Sequence, residues 1–293
     1  MDGWIILDKP VGLGSTQAVS AVKRALREGG YPKRKVGHGG TLDPLASGVL
    51  PIAVGEATKL AGRMLDSDKV YEFTIAFGVE TDTLDAEGRE VATSGVRPSL
   101  AKVASALPRF TGPIEQVPPA FSALKVDGER AYALARAGAE VALASRAVTV
   151  RSLTLAAASE DEATLVAHVS KGTYIRSLAR DIARALGTVG HVTMLRRTRA
   201  GPFALAQAIS LDKLAQAAKD RALEDCLLPL RAGLDDIPAL FLTPDQAGLL
   251  RNGQVLAGTA ADDGFHFALL DDVPVALVEA QAGEVRVVRG FNL

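Results

Sequence analysis

A single cysteine, Cys226, in 293 residues excludes an intrachain disulfide framework. Four histidines and that one cysteine, with no Cys-x-x-Cys pair and no His-Glu-x-x-His, argue against a structural zinc site. No apolar run approaches the ~18–20 residues needed to cross a bilayer. Met1 to Asp8 lacks the basic start and long apolar stretch of a secretion signal. A cytoplasmic, soluble chain with no membrane partner is therefore expected. There is no Gly-x-x-x-x-Gly-Lys-Ser/Thr phosphate loop. Gly12-Leu13-Gly14 lacks the third glycine of a dinucleotide fingerprint. The Pro-Cys-x-x-Cys zinc signature of nucleobase deaminases is also missing. These gaps indicate neither a nucleotide cofactor nor a metal, and no cofactor is expected.

What remains is an ordinary globular composition, 48% hydrophobic and 23% charged, able to bury a core. The length fits one large domain or two unequal ones. The net charge of −1 hides a partition. Residues 1–60 carry +3, residues 61–164 carry −4, residues 165–205 carry +6 and residues 206–293 carry −6. The basic block holds seven Lys/Arg against one acid. It reads either as a solvated helix face or as a surface facing the phosphates of a nucleic acid.

Hydrophobic periodicity predicts a strand at Trp4–Leu7, a helix to about Glu28 capped by Ser15 or Thr16, and a buried strand at Val49–Val54. It further predicts a helix at Glu56–Leu65 and an alternating strand at Lys69–Phe77 with Tyr71, Phe73, Ile75 and Phe77 on one side. Ser99–Leu107 reads as a helix, Phe121–Val126 as a strand and Glu129–Arg136 as a helix, with Asp127-Gly128 as the turn between them. Strands within 147–157 and 163–169 precede a helix Thr173–Leu186 and a strand His191–Thr198. Helices follow at 211–218 and 221–228. Pro229 and then Leu234-Asp235-Asp236-Ile237-Pro238 have the composition of a linker, and the last 55 or so residues that of a small β-rich appendage. The irregular alternation of strands and helices fits an α+β fold with a mixed, mostly antiparallel central sheet and flanking helices.

Two stretches are dense in chemistry. Gly37 to Gly48 is a glycine-rich loop that contains His38 and Asp43-Pro44. Its glycines permit backbone geometry closed to other residues and close approach of a ligand. Asp43 is held extended by the following proline and is either a turn-former or a functional carboxylate. Ser170 to Leu178 lies at a strand-to-helix junction with Tyr174 and Arg176 in the first turn. An arginine there opposes the helix dipole unless an anion faces it. Arg180 and Arg184 extend Arg176 at i+4 spacing into a basic stripe.

The stretch His38-Gly39-Gly40-Thr41-Leu42-Asp43-Pro44-Leu45-Ala46-Ser47-Gly48-Val49-Leu50 closely resembles the catalytic motif of TruB-type tRNA pseudouridine synthases. Leu7-Asp8-Lys9-Pro10, Gly55-Glu56-Ala57-Thr58-Lys59 and Asp66-Ser67-Asp68-Lys69-Val70-Tyr71 fit the same family in order. So do Thr81-Asp82-Thr83, Ser122-Ala123-Leu124-Lys125, Lys171-Gly172-Thr173-Tyr174-Ile175-Arg176 and Leu195-Arg196-Arg197. The likeness covers residues 5 to about 200. It implies that Asp43 is the essential carboxylate, that Tyr71 contacts a flipped uracil and that Arg176 pairs with Asp43. It further implies that Tyr174 and Leu195 line the pocket, that Lys9 sits near it, and that His38 helps hold a remodelled T loop. Lys9, Lys59, Arg180 and Arg184 are the expected substrate or RNA contacts. The implied architecture is a catalytic domain over 1–235 and a small β-rich RNA-binding (PUA-like) domain over 236–293. The implied partner is the T arm of tRNA, with uridine 55 as target and the enzyme acting as a monomer.

Pseudouridine formation breaks a C–N glycosidic bond and makes a C–C bond to the same base, so it needs neither redox equivalents nor ATP. The uridine must leave its stack, at a cost of a few kcal/mol, and the detached uracil must be retained by an apolar pocket. A carboxylate serves as a covalent nucleophile or stabilises positive charge at the sugar. A non-catalytic RNA-folding module would show a substituted Asp43 or Arg176, and both are present. A deaminase or methyltransferase lacks support in the missing zinc and glycine-rich motifs.

Overall fold

The computed structural model describes residues 1–122, 124–126, 128–137, 139 and 143–293. Its frame is a ten-stranded sheet. The order runs Leu228–Pro229, Gly3–Lys9, Ala46–Val54, Gly190–Ala200, Lys69–Phe77, Glu162–Val169, Arg146–Ala158 and Gly112–Gln116, with Val36–His38 and Phe203–Ala204 pairing off this path. Along that order every pairing among the described residues is antiparallel except one. Ala46–Val54 meets Gly190–Ala200 in parallel over three pairs, Leu195 with Ala46, Arg196 with Ser47 and Arg197 with Gly48. The functional loop enters the sheet at this short seam. Gly48 has φ +101°, and a Cβ there would lie 2.2 Å from the Arg197 carbonyl oxygen. Only glycine allows the two strands to approach so closely.

The helix Ser15–Glu28 buries Ala18, Val19, Val22, Ala25 and Leu26 against one side of the sheet, as their helical spacing predicts. Its cap is Gly14, whose N–H donates to Gln17 Oε1 at 2.7 Å, and neither Ser15 nor Thr16 caps. Ser15 is engaged elsewhere: its hydroxyl accepts from Leu42 N at 2.8 Å and donates to Leu42 O at 3.0 Å. The helix Ile175–Ala185 covers the other half of the sheet with Ile175, Leu178, Ala179, Ile182 and Ala183 inward. Thr173 does not cap it, because its hydroxyl turns back to Ser170 O.

Three further local expectations are corrected. Phe121–Val126 is not one strand. Phe121 O and Ser122 O are taken by Arg176 and by Tyr132 N, and only Lys125–Val126 pairs, with Glu129–Arg130. Ala123 of the sequence motif and Asp127 of the expected turn lie outside the described residues. The segment 221–228 forms a single 3₁₀ turn at Leu223–Cys226, because Arg221 adopts φ +54° and breaks the helical path. The stretch 229–238 is packed rather than free. Leu230 and Leu234 are buried, Trp4 Nε1 donates to Leu230 O at 3.2 Å, and Gly233 lies against the Trp4 indole.

Residues beyond 238 build a five-stranded sheet in the order Ala239–Phe241, Gly264–Leu270, Val273–Gln281, Glu284–Gly290, Leu256–Ala257, with the helix Pro244–Arg251. It does not dangle. Phe267, Leu269, Leu277 and Phe291 share one apolar cluster with Trp4, Ile6, Val49 and Phe203 of the large sheet.

Candidate active site at the parallel seam

The loop between the Val36–His38 and Ala46–Val54 strands is held mostly through its backbone. Ser15 fixes the Leu42 peptide. Pro44 O accepts from Gly12 N at 2.8 Å and from Lys9 Nζ at 3.3 Å. Asp43 O accepts from Ala46 N at 3.0 Å. Arg197 is 1% exposed and donates to Thr41 O at 3.1 Å and Val49 O at 2.8 Å. Such anchoring leaves the Asp43 side chain free to project, 47% exposed, with Oδ2 2.9 Å from an Arg176 guanidinium nitrogen.

Arg176 is the centre of the arrangement. Its side chain is 8% exposed and also lies 3.2 Å from Asp85 Oδ2. It donates to Thr83 O at 2.8 Å and Phe121 O at 3.0 Å. Asp85 is itself buried, accepting from Thr83 Oγ1 and from Glu87 N at 3.1 Å. The guanidinium is thus shared between an exposed and a buried carboxylate. The anion that the first-turn position called for is supplied by these two side chains.

A pocket of about 200 Å³ opens on one side of the Asp43–Arg176 pair, walled by Tyr71, Tyr174, Leu195, Val169 and Lys69. Tyr71 and Lys69 share a face of one strand, and Leu195 comes from its neighbour. A second cavity of about 600 Å³ lies across the same pair and is lined by Thr83, Asp85, Phe121 and Tyr132. A carboxylate exposed between an aromatic pocket and an open cleft suits a substrate that places one flat group in the pocket while the rest stays outside. Among the described residues, no cluster of acids, histidines and cysteines could hold a metal ion. Among the described residues, no helix is long and apolar enough to cross a membrane.

The residues expected at the site divide into those brought together and those that stand apart. Asp43, Tyr71, Tyr174, Arg176 and Leu195 meet at one pocket. Lys9 is 0% exposed, so as an RNA contact it is corrected. Its ammonium donates to Pro10 O, Leu13 O and Pro44 O, and it positions the Asp43 loop from beneath. Burial pushes its pKa down to about 8. His38 lies outside the pocket; burial lowers its pKa, and its Nδ1 has no hydrogen-bond partner among the described residues. Lys59 is also outside, its Nζ held by Glu56 at 2.6 Å and by Gly290 O at 2.9 Å.

The basic stripe is divided: Arg180 is turned inward, whereas Arg184 remains 57% exposed. Arg180 is 13% exposed and spends its guanidinium on Asp181 and Val117 O. Arg184 grips Glu80 through two hydrogen bonds of 3.2 and 2.7 Å. Both tie the helix to the loops around it. The reason is tertiary in part: Val117 and Glu80 reach the helix from elsewhere in the chain, whereas Asp181 is the helix neighbour of Arg180.

Sequence reasoning missed four residues. Asp85 follows a quoted motif by two positions. Lys69 and Arg197 lie inside quoted motifs, and the two-residue period already put Lys69 beside Tyr71. Lys69 is 7% exposed and donates to Met64 O, Leu65 O and Ser67 O. Burial pushes its pKa down to about 8. Gln116 had no signal beyond a polar residue closing a strand.

Residues 27–175 match the family model described as TruB family pseudouridylate synthase (N terminal domain). Residues 176–235 match that of the tRNA pseudouridylate synthase B C-terminal domain. The chain belongs to the TruB family of pseudouridylate synthases. Its TruB relatives include proteins named tRNA pseudouridine synthase B. One, from Novosphingobium aromaticivorans, is 66% identical, with 100% of this chain and 98% of that protein covered. Another, from Zymomonas mobilis, is 60% identical over 100% and 96%. The TruB fold also recurs in a solved structure described as an H/ACA RNP bound to a substrate RNA containing 2'-deoxyuridine. That chain has a TM-score of 0.76 at 24% identity, with 99% of this chain and 85% of that chain covered.

Proposed function

We propose that the chain isomerises uridine 55 in the T loop of tRNA to pseudouridine. The observation that carries this reading is the Asp43–Arg176 pair, 2.9 Å apart at the mouth of a pocket walled by Tyr71, Tyr174 and Leu195, in a chain of this family. The target uridine leaves its stack and enters the pocket. Arg176 holds the Asp43 carboxylate in place through their 2.9 Å ion pair. Asp43 serves as nucleophile or as stabiliser of positive charge while the C–N bond breaks. The tyrosines and Leu195 retain the free uracil until C5 faces the sugar and the C–C bond forms. Tyr71 packs beneath the base, and His38 supports the remodelled loop. Residues 1–235 form the catalytic domain and residues 236–293 an RNA-binding one. The enzyme works as a monomer, in the cytoplasm, on the T arm.

The test uses unmodified tRNA carrying tritium at uridine C5, with chemical labelling to locate the product. Tritium release with one new pseudouridine at position 55 is expected. No release, or modification elsewhere, refutes the assignment.

A further inference from the structure

Tyr174 walls the pocket and precedes the helix Ile175–Ala185, which lacks a side-chain cap of its own. The missing support comes from the edge strand of the sheet. Gln116 closes the edge strand Gly112–Gln116 and is 0% exposed. Its Oε1 accepts from Tyr174 N at 2.7 Å, and its Nε2 donates to Tyr174 O at 3.1 Å. One carboxamide therefore pairs with both backbone groups of a single residue, as a neighbouring strand would.

The cross-strand partner of Gln116 is Arg146, whose guanidinium carbon lies 5.3 Å from the centre of the Tyr174 ring. One strand pair thus holds the main chain of the tyrosine with one member and its ring with the other. Neither member lines the pocket. The residues after Gln116 extend the attachment to the helix: Ser177 donates to Val117 O at 2.8 Å, and Arg176 to Phe121 O at 3.0 Å.

We propose that Gln116 and Arg146 are positioning residues for the reaction. Gln116 sets the height of Tyr174 on the pocket wall and the start of the helix that carries Arg176. Arg146 sets the plane of the ring. A burial this complete would be costly for an unpaired amide, yet an apolar side chain would fill the same space without fixing Tyr174. Catalytic geometry is sensitive to such fixing, with a 1 Å misplacement costing on the order of 100-fold.

The inference rests on the pseudouridine synthase reading, so wild-type enzyme is assayed in parallel on a tritiated T-arm stem-loop. An inactive wild type refutes that reading, whereas variants matching an active wild type refute this one. Gln116→Leu is expected to slow single turnover at saturating RNA by about tenfold or more. Its RNA Kd stays within about threefold, since affinity resides mainly in phosphate contacts. Arg146→Met slows single turnover about threefold, and this effect vanishes in a Tyr174→Leu background, where there is no ring to orient. Equal slowing in both backgrounds, or no slowing by Arg146→Met in the wild type, overturns the proposal. So does a Gln116→Leu protein that melts and reacts like wild type. If Gln116→Leu fails to fold, the Arg146–Tyr174 cycle decides alone.

Discussion

Arg176 faces two carboxylates that differ mainly in burial, and replacing each by asparagine separates chemistry from stability. Asp43 is 47% exposed. An ion pair so hydrated is worth about 0–1 kcal/mol, so Asp43→Asn should melt within a few degrees of wild type. Its RNA affinity should change by less than roughly tenfold, about 1.4 kcal/mol, while pseudouridine formation is lost. Asp85 has a side chain only 9% exposed. Breaking a buried pair costs about 3–5 kcal/mol. Here Asp43 and the carbonyls of Thr83 and Phe121 still hold the guanidinium, which lowers the expected cost to about 2–3 kcal/mol. At roughly 2–4 °C per kcal/mol for a chain of this size, Asp85→Asn should melt about 4–12 °C lower. It should also slow single turnover, because Arg176 loses one of its two carboxylate partners, but should retain more activity than Asp43→Asn. Thermal melts and single-turnover assays on both proteins measure this. If Asp43→Asn is the less stable of the two, or Asp85→Asn is indistinguishable from wild type, the assignment of roles by burial is refuted.

Two further outcomes follow from the packing. Lys69 titrates near 8 in the folded chain against an ordinary 10.5, so between those values the folded form binds fewer protons and stability rises with pH. The cost of burying the charged form is full below about pH 8 and relieved towards pH 10.5. Denaturant melts across that window should show wild type gaining on Lys69→Met as pH rises, and parallel curves would refute the linkage. Ending the chain at Leu234 removes Phe267, Leu269, Leu277 and Phe291 from the Trp4–Phe203 cluster. At about 1.5–3 kcal/mol per side chain the loss is about 6–12 kcal/mol at most, comparable to the whole stability of many domains. The truncated chain should therefore melt far lower and expose apolar surface, measured by dye binding. A melt like that of the full chain would refute this.

The sequence by itself determined the elements whose period is strong and local. The Lys69–Phe77 strand appears with its expected ends and its expected inward face, and the helix Ser15–Glu28 follows its apolar spacing. The motif order carries the resemblance to the family, which pairs Asp43 with Arg176 although 133 positions separate them. Tertiary structure alone decided where polar side chains end. Ser15 is a good cap by composition, yet its hydroxyl closes on Leu42 instead. Arg180 and Arg184 look like phosphate ligands in a linear charge count, yet Val117 O and Glu80, from far along the chain, engage them, and only Arg184 keeps more than half of its side chain exposed. Leu230 and Leu234 sit in a linker-like stretch, yet pack beneath Trp4. Apolar periodicity is written locally because each helix or strand repeats its own geometry. A charge or hydroxyl is satisfied by whichever partner the fold brings within about 3 Å, and that partner is fixed only once the sheet has closed around the seam where Asp43 stands.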